Sequence, residues 1–165
     1  MHHTFRRLPR LAIATLILAT LAPSAALGAA PSVSTWYGRV YAGDGLDANS
    51  AYLDNPQGFT ADGACGLTIT DTLNFVVRQI DGATNVISTV AGSGRYLVQN
   101  GPASTAAFRT PRDVERGPND ELYVLDAASG AIQLVKNGRV STWRRGLQNP
   151  TGSTIDGSTL YLSDT

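Results

Sequence analysis

The sequence predicts an all-β fold built from short antiparallel strands. Three observations lead to this prediction. Between residues 31 and 165, short runs place apolar residues at alternate positions, which is the period of a half-buried strand. Turn-forming pairs such as Asp-Gly and Asn-Gly separate these runs. The same order of signals recurs along the chain, and no segment in this range keeps a helical period.

The first element, residues 1–28, has the layout of a secretory signal peptide. Three arginines precede an apolar run from Leu11 to Ala22, and Pro23 and a series of small residues follow it. The run is shorter than the roughly 20 residues that a helix needs to cross a bilayer. We predict that residues 1–28 direct export to the medium or the cell surface, with cleavage after Ala26 or Gly28. No membrane span is then expected in residues 29–165, and an uncleaved anchoring segment is the alternative.

Removal of residues 1–28 changes the charge and the catalytic repertoire of the chain. Ten basic and thirteen acidic side chains remain, so a nucleic-acid binder that relies on positive charge is excluded. The two histidines, His2 and His3, are also removed. Residues 29–165 therefore hold no Ser-His-Asp triad and no histidine-ligated metal. We expect the single cysteine, Cys65, to be buried or bridged to a segment outside this sequence.

The remaining chain repeats one set of signals. Val33–Trp36 recurs as Ile87–Val90 and as Val140–Trp143. Before the second and third of these Ser-Thr segments, a strand-like run follows a proline, a polar turn comes next, and a second run ends in aspartate. A third run and another turn then lead to the Ser-Thr segment. Each complete copy therefore contains four short strands in meander order. The prolines and aspartates are Pro56 with Asp71, Pro111 with Asp126, and Pro150 with Asp164.

Four-stranded units that repeat about every 40 to 55 residues are typical of β-propeller blades. We expect blades at about residues 56–90 and 111–143, and a partial blade at 150–165. Residues 33–36 match the outermost strand of a blade and lack the three strands before it, so they are expected to close the ring. About two and a half blades form an incomplete ring. The sequence thus predicts a fragment whose partners include the remaining blades, and assembly of several copies into one ring is the alternative.

One segment of the chain carries a family resemblance. The run from Asp71 to Asp81, Asp-Thr-Leu-Asn-Phe-Val-Val-Arg-Gln-Ile-Asp, resembles the NHL repeat. Asn74 matches the asparagine of that repeat, whereas Phe75 stands where histidine is usual. The second copy departs further, with Ala127–Gly130 at the corresponding place. The resemblance covers roughly residues 33–165. It implies a propeller of about six blades and gives almost no information on activity.

Two long connections, residues 37–55 and 91–110, are the candidates for a binding surface. Long loops on a rigid scaffold often carry function. In propellers such connections emerge on the same face as the turns that follow Asp71 and Asp126. The alternative is that they hold solvated residues with internal hydrogen bonds. The predicted binding residues are Tyr37, Arg39, Tyr41, Asp44, Asp47, Arg95 and Tyr96.

The repeated aspartates Asp71, Asp126 and Asp164 are predicted to be structural. A carboxylate at the end of a strand can accept backbone N–H groups and fix the following turn. A metal or catalytic role is the alternative. The run Asp44–Asn49 offers oxygen ligands but lacks the spacing of a calcium loop. Trp36 and Trp143, at equivalent positions, are assigned to packing at an outer strand. No catalytic residue, metal site or cofactor is predicted.

The leading functional hypothesis is a secreted, non-enzymatic NHL-type propeller. It would serve as a scaffold that binds an extracellular protein or a small ligand. The alternative is an extracellular propeller hydrolase or lyase, similar to lactonases, whose metal site lies largely in blades outside this sequence. A structural cell-surface repeat is a third possibility. Clustered inward-facing carboxylates or histidines in the other blades would favour the enzyme. Their absence, together with aromatic residues on the loop face, would favour binding.

Overall fold

A computed structural model describes residues 43–165 of the chain. The predicted signal peptide, the expected closing strand at 33–36 and three predicted binding residues, Tyr37, Arg39 and Tyr41, lie outside this range. Within residues 43–165, no helix is long and apolar enough to cross a membrane. Strands and turns make up the described part, with three short 3-10 segments at Ala48–Ser50, Thr72–Asn74 and Ala127–Ser129. The predicted all-β fold is therefore confirmed.

The first sheet has four antiparallel strands in the order β1-β2-β3-β4. Each strand is hydrogen-bonded to the next along the chain, so the sheet is the meander that the alternating pattern predicts. The turn between β3 and β4 contains Asn85, which takes a left-handed conformation with φ of 55°. The strands are β1 (Pro56–Ala61), β2 (Leu67–Asp71), β3 (Val76–Ile80) and β4 (Ile87–Ala91).

The second sheet repeats this meander and carries one additional strand at its edge. Its order is β5-β9-β8-β7-β6. The turn between β8 and β9 is Asn137-Gly138, and both residues have the positive φ that this turn needs. The strands are β5 (Gly101–Pro102), β6 (Pro111–Arg116), β7 (Leu122–Asp126), β8 (Ala131–Lys136) and β9 (Arg139–Arg145).

The edge strand β5 was not predicted from the sequence. It pairs with β9 through Gly101 and Pro102, and two residues are too few to produce an alternating pattern. The first sheet has a similar but shorter contact, because Asp47 forms a bridge with Val86 beside β4. In both sheets, then, the preceding connection runs along the outermost strand.

A third unit is the antiparallel hairpin of β10 (Pro150–Asp156) and β11 (Thr159–Asp164). It matches the first two strands of the other sheets. All three first hairpins share an irregular register just after the starting proline. Proline has no N–H to donate to the strand ladder, so the pairing shifts at this point.

The main apolar core lies between the first and second sheets. Val77 and Ala91 of the first sheet pack with Val114 and Val124 of the second. The connection before β6 enters the same core with three buried residues, Ala103, Ala106 and Phe108. A smaller cluster of Ile69, Ile80 and Ile87 packs in the same way against Ala48, Ala51 and Leu53 of the preceding connection. Both long connections are therefore partly buried against a sheet, which their polar composition did not reveal.

The sheets approach most closely at their first strands. A Cβ built on Gly58 of β1 would lie 2.5 Å from Cα of Asp113 in β6. Thr72 donates its hydroxyl to the carbonyl of Pro111 at 2.7 Å. Asp113 in turn accepts the backbone N–H of Ser153 in β10 at 2.6 Å. Glycine and side chains that bond to backbone groups thus join each sheet to the first strand of the next.

Cys65 occupies the turn between β1 and β2. It has a left-handed φ of 64°, and its thiol is free and exposed. The expectation that Cys65 is buried is therefore wrong, because the tip of the turn that connects the two strands faces solvent. Among the described residues it forms no disulfide.

Candidate functional site

The three repeated aspartates hold equivalent places at the end of the second strand of each repeat. Asp71 and Asp126 are fully buried, whereas Asp164 is exposed. Each carboxylate accepts backbone N–H groups from the residues just before the first strand of its own hairpin. The donors precede the hairpin, whereas the sequence analysis expected them in the following turn. The bonds run to Asp71 from Asp54 at 2.7 Å, to Asp126 from Thr110 at 2.7 Å and Arg109 at 3.2 Å, and to Asp164 from Asn149 at 2.8 Å and Gln148 at 2.9 Å.

Asp71 belongs to a buried polar network. Its Oδ2 accepts the side-chain amide of Asn74 at 2.9 Å and lies 3.5 Å from Nη1 of Arg78. Burial raises the pKa of Asp71, and the hydrogen bonds from Asn74 and the backbone of Asp54 offset part of this effect. Arg78 is itself buried and extends Nη2 to Oδ1 of Asp44 at 2.6 Å. The predicted binding residue Asp44 is thus engaged in an internal ion pair.

Asp47 lies at the other end of β3, beside the turn between β3 and β4. Its Oδ2 accepts the side chain of Asn85 at 3.1 Å, and its Oδ1 accepts the backbone N–H of Asn49 at 2.8 Å. The bond from Asn49 and then that from Asn85 lower the pKa of Asp47. Asp47 therefore lies a full strand length away from the turn that follows Asp71.

An exposed cluster lies at the end of the first sheet where β2 turns into β3. The rings of Phe75 and Tyr96 meet edge to face with centroids 5.3 Å apart. The guanidinium of Arg109 lies 5.9 Å from the centroid of the Tyr96 ring, within cation–π range. Tyr96 is 60% exposed, and Leu73 in the adjacent turn is 51% exposed. We call Phe75, Tyr96 and Arg109 the aromatic cluster.

Local backbone geometry positions the aromatic cluster. Phe75 follows the 3-10 segment Thr72–Asn74 with a left-handed φ of 57°. Arg109 is held by the bond of its N–H to Asp126, so the second sheet supplies the cation that faces the ring of Tyr96. Tyr96 and its neighbour Arg95 were predicted from the sequence, whereas Phe75 and Arg109 were not. The one available signal was Phe75 itself, which replaces the usual histidine of the NHL repeat.

The predicted binding residues within 43–165 are therefore not one cluster. Arg95 and Tyr96 lie beside the turn after Asp71, Asp47 lies at the opposite end of β3, and Asp44 contacts Arg78. Among residues 43–165, no three histidine, cysteine, aspartate or glutamate side chains are grouped so that they could hold a metal ion.

No protein-family model and no curated sequence matches the chain. Solved structures do resemble it. One is a protein of unknown function from Bacteroides thetaiotaomicron, with a TM-score of 0.54 and 17% identity over 60% of this chain and 30% of that one. Another is an auxiliary nutrient binding protein from the same organism, with a TM-score of 0.53 and 16% identity over 70% of this chain and 35% of that one. The chain spans about a third of the length of these two proteins, and at this identity the similarity concerns the fold alone.

Proposed function

We propose that the chain is part of a secreted β-propeller of the NHL type, and that it acts as a scaffold binding an extracellular protein or small ligand. The observation that carries this proposal is the exposed aromatic cluster at the end of the sheets. Aromatic and arginine side chains dominate the energy of many binding surfaces. The fold is shared with a protein described as an auxiliary nutrient binding protein, so it is compatible with a binding role.

Repetition of the sheet packing supports the propeller architecture. Phe59 and Val114 hold the same position in the two sheets, since Phe59 pairs with Ile69 and Val114 pairs with Val124. Val114 is fully buried beneath the first sheet, whereas Phe59 is 69% exposed. In a propeller, another sheet would cover Phe59 as the first sheet covers Val114. Phe59, Leu53 and Ile69 line an apolar groove on that uncovered face.

The aromatic cluster suits recognition because its members are anchored but accessible. Phe75 follows Asn74, whose side chain bonds to Asp71, and Arg109 donates its backbone N–H to Asp126. Rigid aromatic groups lose little side-chain entropy when a ligand binds. Leu73 adds exposed apolar surface beside them. The expected ligand therefore combines an apolar or aromatic part with an acceptor for Arg109.

Ligand binding is tested by NMR titration of the 29–165 chain with free amino acids, monosaccharides and short peptides. We expect at least one compound to shift the amides of residues 73–75 and 94–97 saturably, and Tyr96→Ala to weaken that binding about tenfold. The matched control is Tyr161→Ala, which removes another exposed tyrosine, in β11. Binding that is absent, or that Tyr161→Ala weakens equally, would refute this site.

Secretion is tested separately in the producing organism. N-terminal sequencing of protein recovered from the medium or the cell surface should find a start after Ala26 or Gly28. Intact protein confined to the cytoplasm would contradict export.

A further inference from the structure

A cavity of about 210 Å³ lies between the second sheet and the β10–β11 hairpin, away from the aromatic cluster. Tyr123 and Trp143 line it from the second sheet, and Ile155 and Leu160 line it from the hairpin. Glu121 and Asn119 supply polar groups. A water molecule occupies about 30 Å³ in the liquid, so the cavity has room for an organic molecule of several heavy atoms.

The corresponding space between the first and second sheets is also a cavity, but different side chains line it. Val90, Arg116 and Leu122 form its walls. Tyr123 and Trp143 occupy the places that Thr68 and Val90 hold in the first sheet. The cavity beside the β10–β11 hairpin is therefore distinguished by its two aromatic rings.

The two aromatic rings form neighbouring walls of the cavity. The centroids of Tyr123 and Trp143 are 5.2 Å apart and their planes meet at 75°. Trp143 is 51% exposed, so the cavity reaches solvent beside its indole. The faces of aromatic rings carry partial negative charge and attract cations, indole most strongly.

A buried carboxylate lies next to these walls. Glu121 is only 6% exposed, and its Oε1 accepts the hydroxyl of Tyr123 at 3.4 Å. Its Oε2 is buried without a hydrogen-bond partner among the described residues, and Nζ of Lys136 lies 3.9 Å from it. Lys136 is about half exposed and points its charge partly to solvent. The negative charge of Glu121 is thus only partly compensated.

The protonation states of Glu121 and Tyr123 favour positively charged ligands. The backbone N–H of Glu121 itself, and after it the charge of Lys136, lower the pKa of the Glu121 carboxyl, so it is ionised at neutral pH. Burial, and then the adjacent Glu121, raise the pKa of Tyr123, so the phenol stays neutral.

From this geometry we infer that the cavity is a binding site for a small organic cation, with an ammonium group held between Trp143, Tyr123 and Glu121. The aromatic faces and the carboxylate each favour positive charge, and the apolar side chains of Ile155 and Leu160 favour the alkyl substituents of such a cation. This site goes beyond the proposed function and uses none of the residues of the aromatic cluster.

Calorimetric titration of the full chain with choline and with its neutral analogue 3,3-dimethyl-1-butanol separates charge from shape. We expect saturable binding of choline and about tenfold weaker binding of the neutral analogue. Equal affinity for the two compounds, or no binding of choline, would overturn the inference.

Variants locate the site. Trp143→Ala and Glu121→Gln should each weaken choline binding about tenfold or more, and Trp143→Phe should weaken it less because an aromatic wall remains. Tyr96→Ala and Tyr161→Ala should leave choline binding unchanged, which distinguishes this cavity from the aromatic cluster. Thermal unfolding of each variant verifies that it folds. If Trp143→Phe and Glu121→Gln fold normally and bind choline like the unaltered chain, the assignment is wrong.

Discussion

The carboxylate of Asp126 accepts the backbone N–H of Thr110 at 2.7 Å. Thr110 immediately precedes Pro111, and Pro111 lies opposite Asp126 in the strand register. Because proline has no N–H, Pro111 contributes no backbone donor to the ladder at this pair. The carboxylate supplies an acceptor for the residue before the proline instead. Asp164 repeats the arrangement, since it accepts the N–H of Asn149 just before Pro150. Asp71 lies opposite Pro56 in the same way but accepts the N–H of Asp54, two residues before the proline.

Asp126→Ala should lower the free energy of unfolding by about 2–3 kcal/mol. The substitution removes a buried charged acceptor and leaves the N–H groups of Arg109 and Thr110 without it. Urea denaturation followed by circular dichroism measures the change. Asp164→Ala is the matched control, since the exposed groups around Asp164 can bond to water. An equal loss in both variants would contradict the assigned role of burial.

Gly58→Ala should destabilise the contact between the first and second sheets. The new Cβ would lie 2.5 Å from Cα of Asp113 and 2.8 Å from the carbonyl oxygen of Arg112, so backbone has to move. We expect a loss of about 1–3 kcal/mol in the same urea experiment. Gly152 holds the equivalent position in β10, where the nearest atom would be 3.8 Å away. Gly152→Ala should change stability by no more than about 0.5 kcal/mol, and a larger loss there than at Gly58 would refute the packing argument.

The buried carboxyl of Asp71 should give a recognisable pH dependence. Its pKa is raised above the ordinary 3.8, mainly by burial, so the native state holds this proton where the unfolded chain has released it. The contribution of Asp71 to stability therefore falls as pH rises from 3.8 through the raised native pKa, and it is constant above that. The measurement is the free energy of unfolding of the unaltered chain minus that of Asp71→Asn, from about pH 4 to about pH 7. The difference should decrease with pH, and an increase would contradict the direction of the shift.

Asp113→Ala should loosen the third hairpin. Oδ2 of Asp113 accepts both the backbone N–H and the hydroxyl of Ser153, at 2.6 and 2.9 Å. Without these bonds, amide hydrogen exchange in β10 and β11 should accelerate about tenfold, while exchange in β2 and β3 stays unchanged. Glu115→Ala removes a carboxylate from the same strand that makes no hydrogen bond to the hairpin among the described residues. Similar acceleration in that control would show that general charge, not the bonds to Ser153, holds the hairpin.

The regular strands could be predicted from sequence because their signals are local. In β7, for example, Leu122, Val124 and the intervening Tyr123 alternate as the two faces of the sheet require. The proline and aspartate that begin and end each first hairpin recur at nearly constant spacing, and this repetition fixed the order of the strands. The meander of each sheet follows from those signals alone.

The connections could not be predicted in the same way. Ala103, Ala106 and Phe108 are buried because a sheet lies beneath them, and their spacing follows no regular period. For the same reason Arg109 was missed, since its approach to Tyr96 depends on how the connection that holds both residues folds and on the bond of Arg109 to Asp126. Trp143 was assigned to packing at an outer strand. It does contact Tyr123, but half of its surface is exposed beside a cavity whose other wall comes from the β10–β11 hairpin.

Each sheet is joined to the first strand of the next, and this determines how stability is distributed among the units. The bonds of Thr72 and Asp113 each link one sheet to its neighbour in sequence. In such a linear array, stability is close to a sum of the intrinsic stability of each unit and the coupling between adjacent units. Within residues 43–165, the second sheet is bonded to both the first sheet and the β10–β11 hairpin. It therefore gains coupling from both of these neighbours.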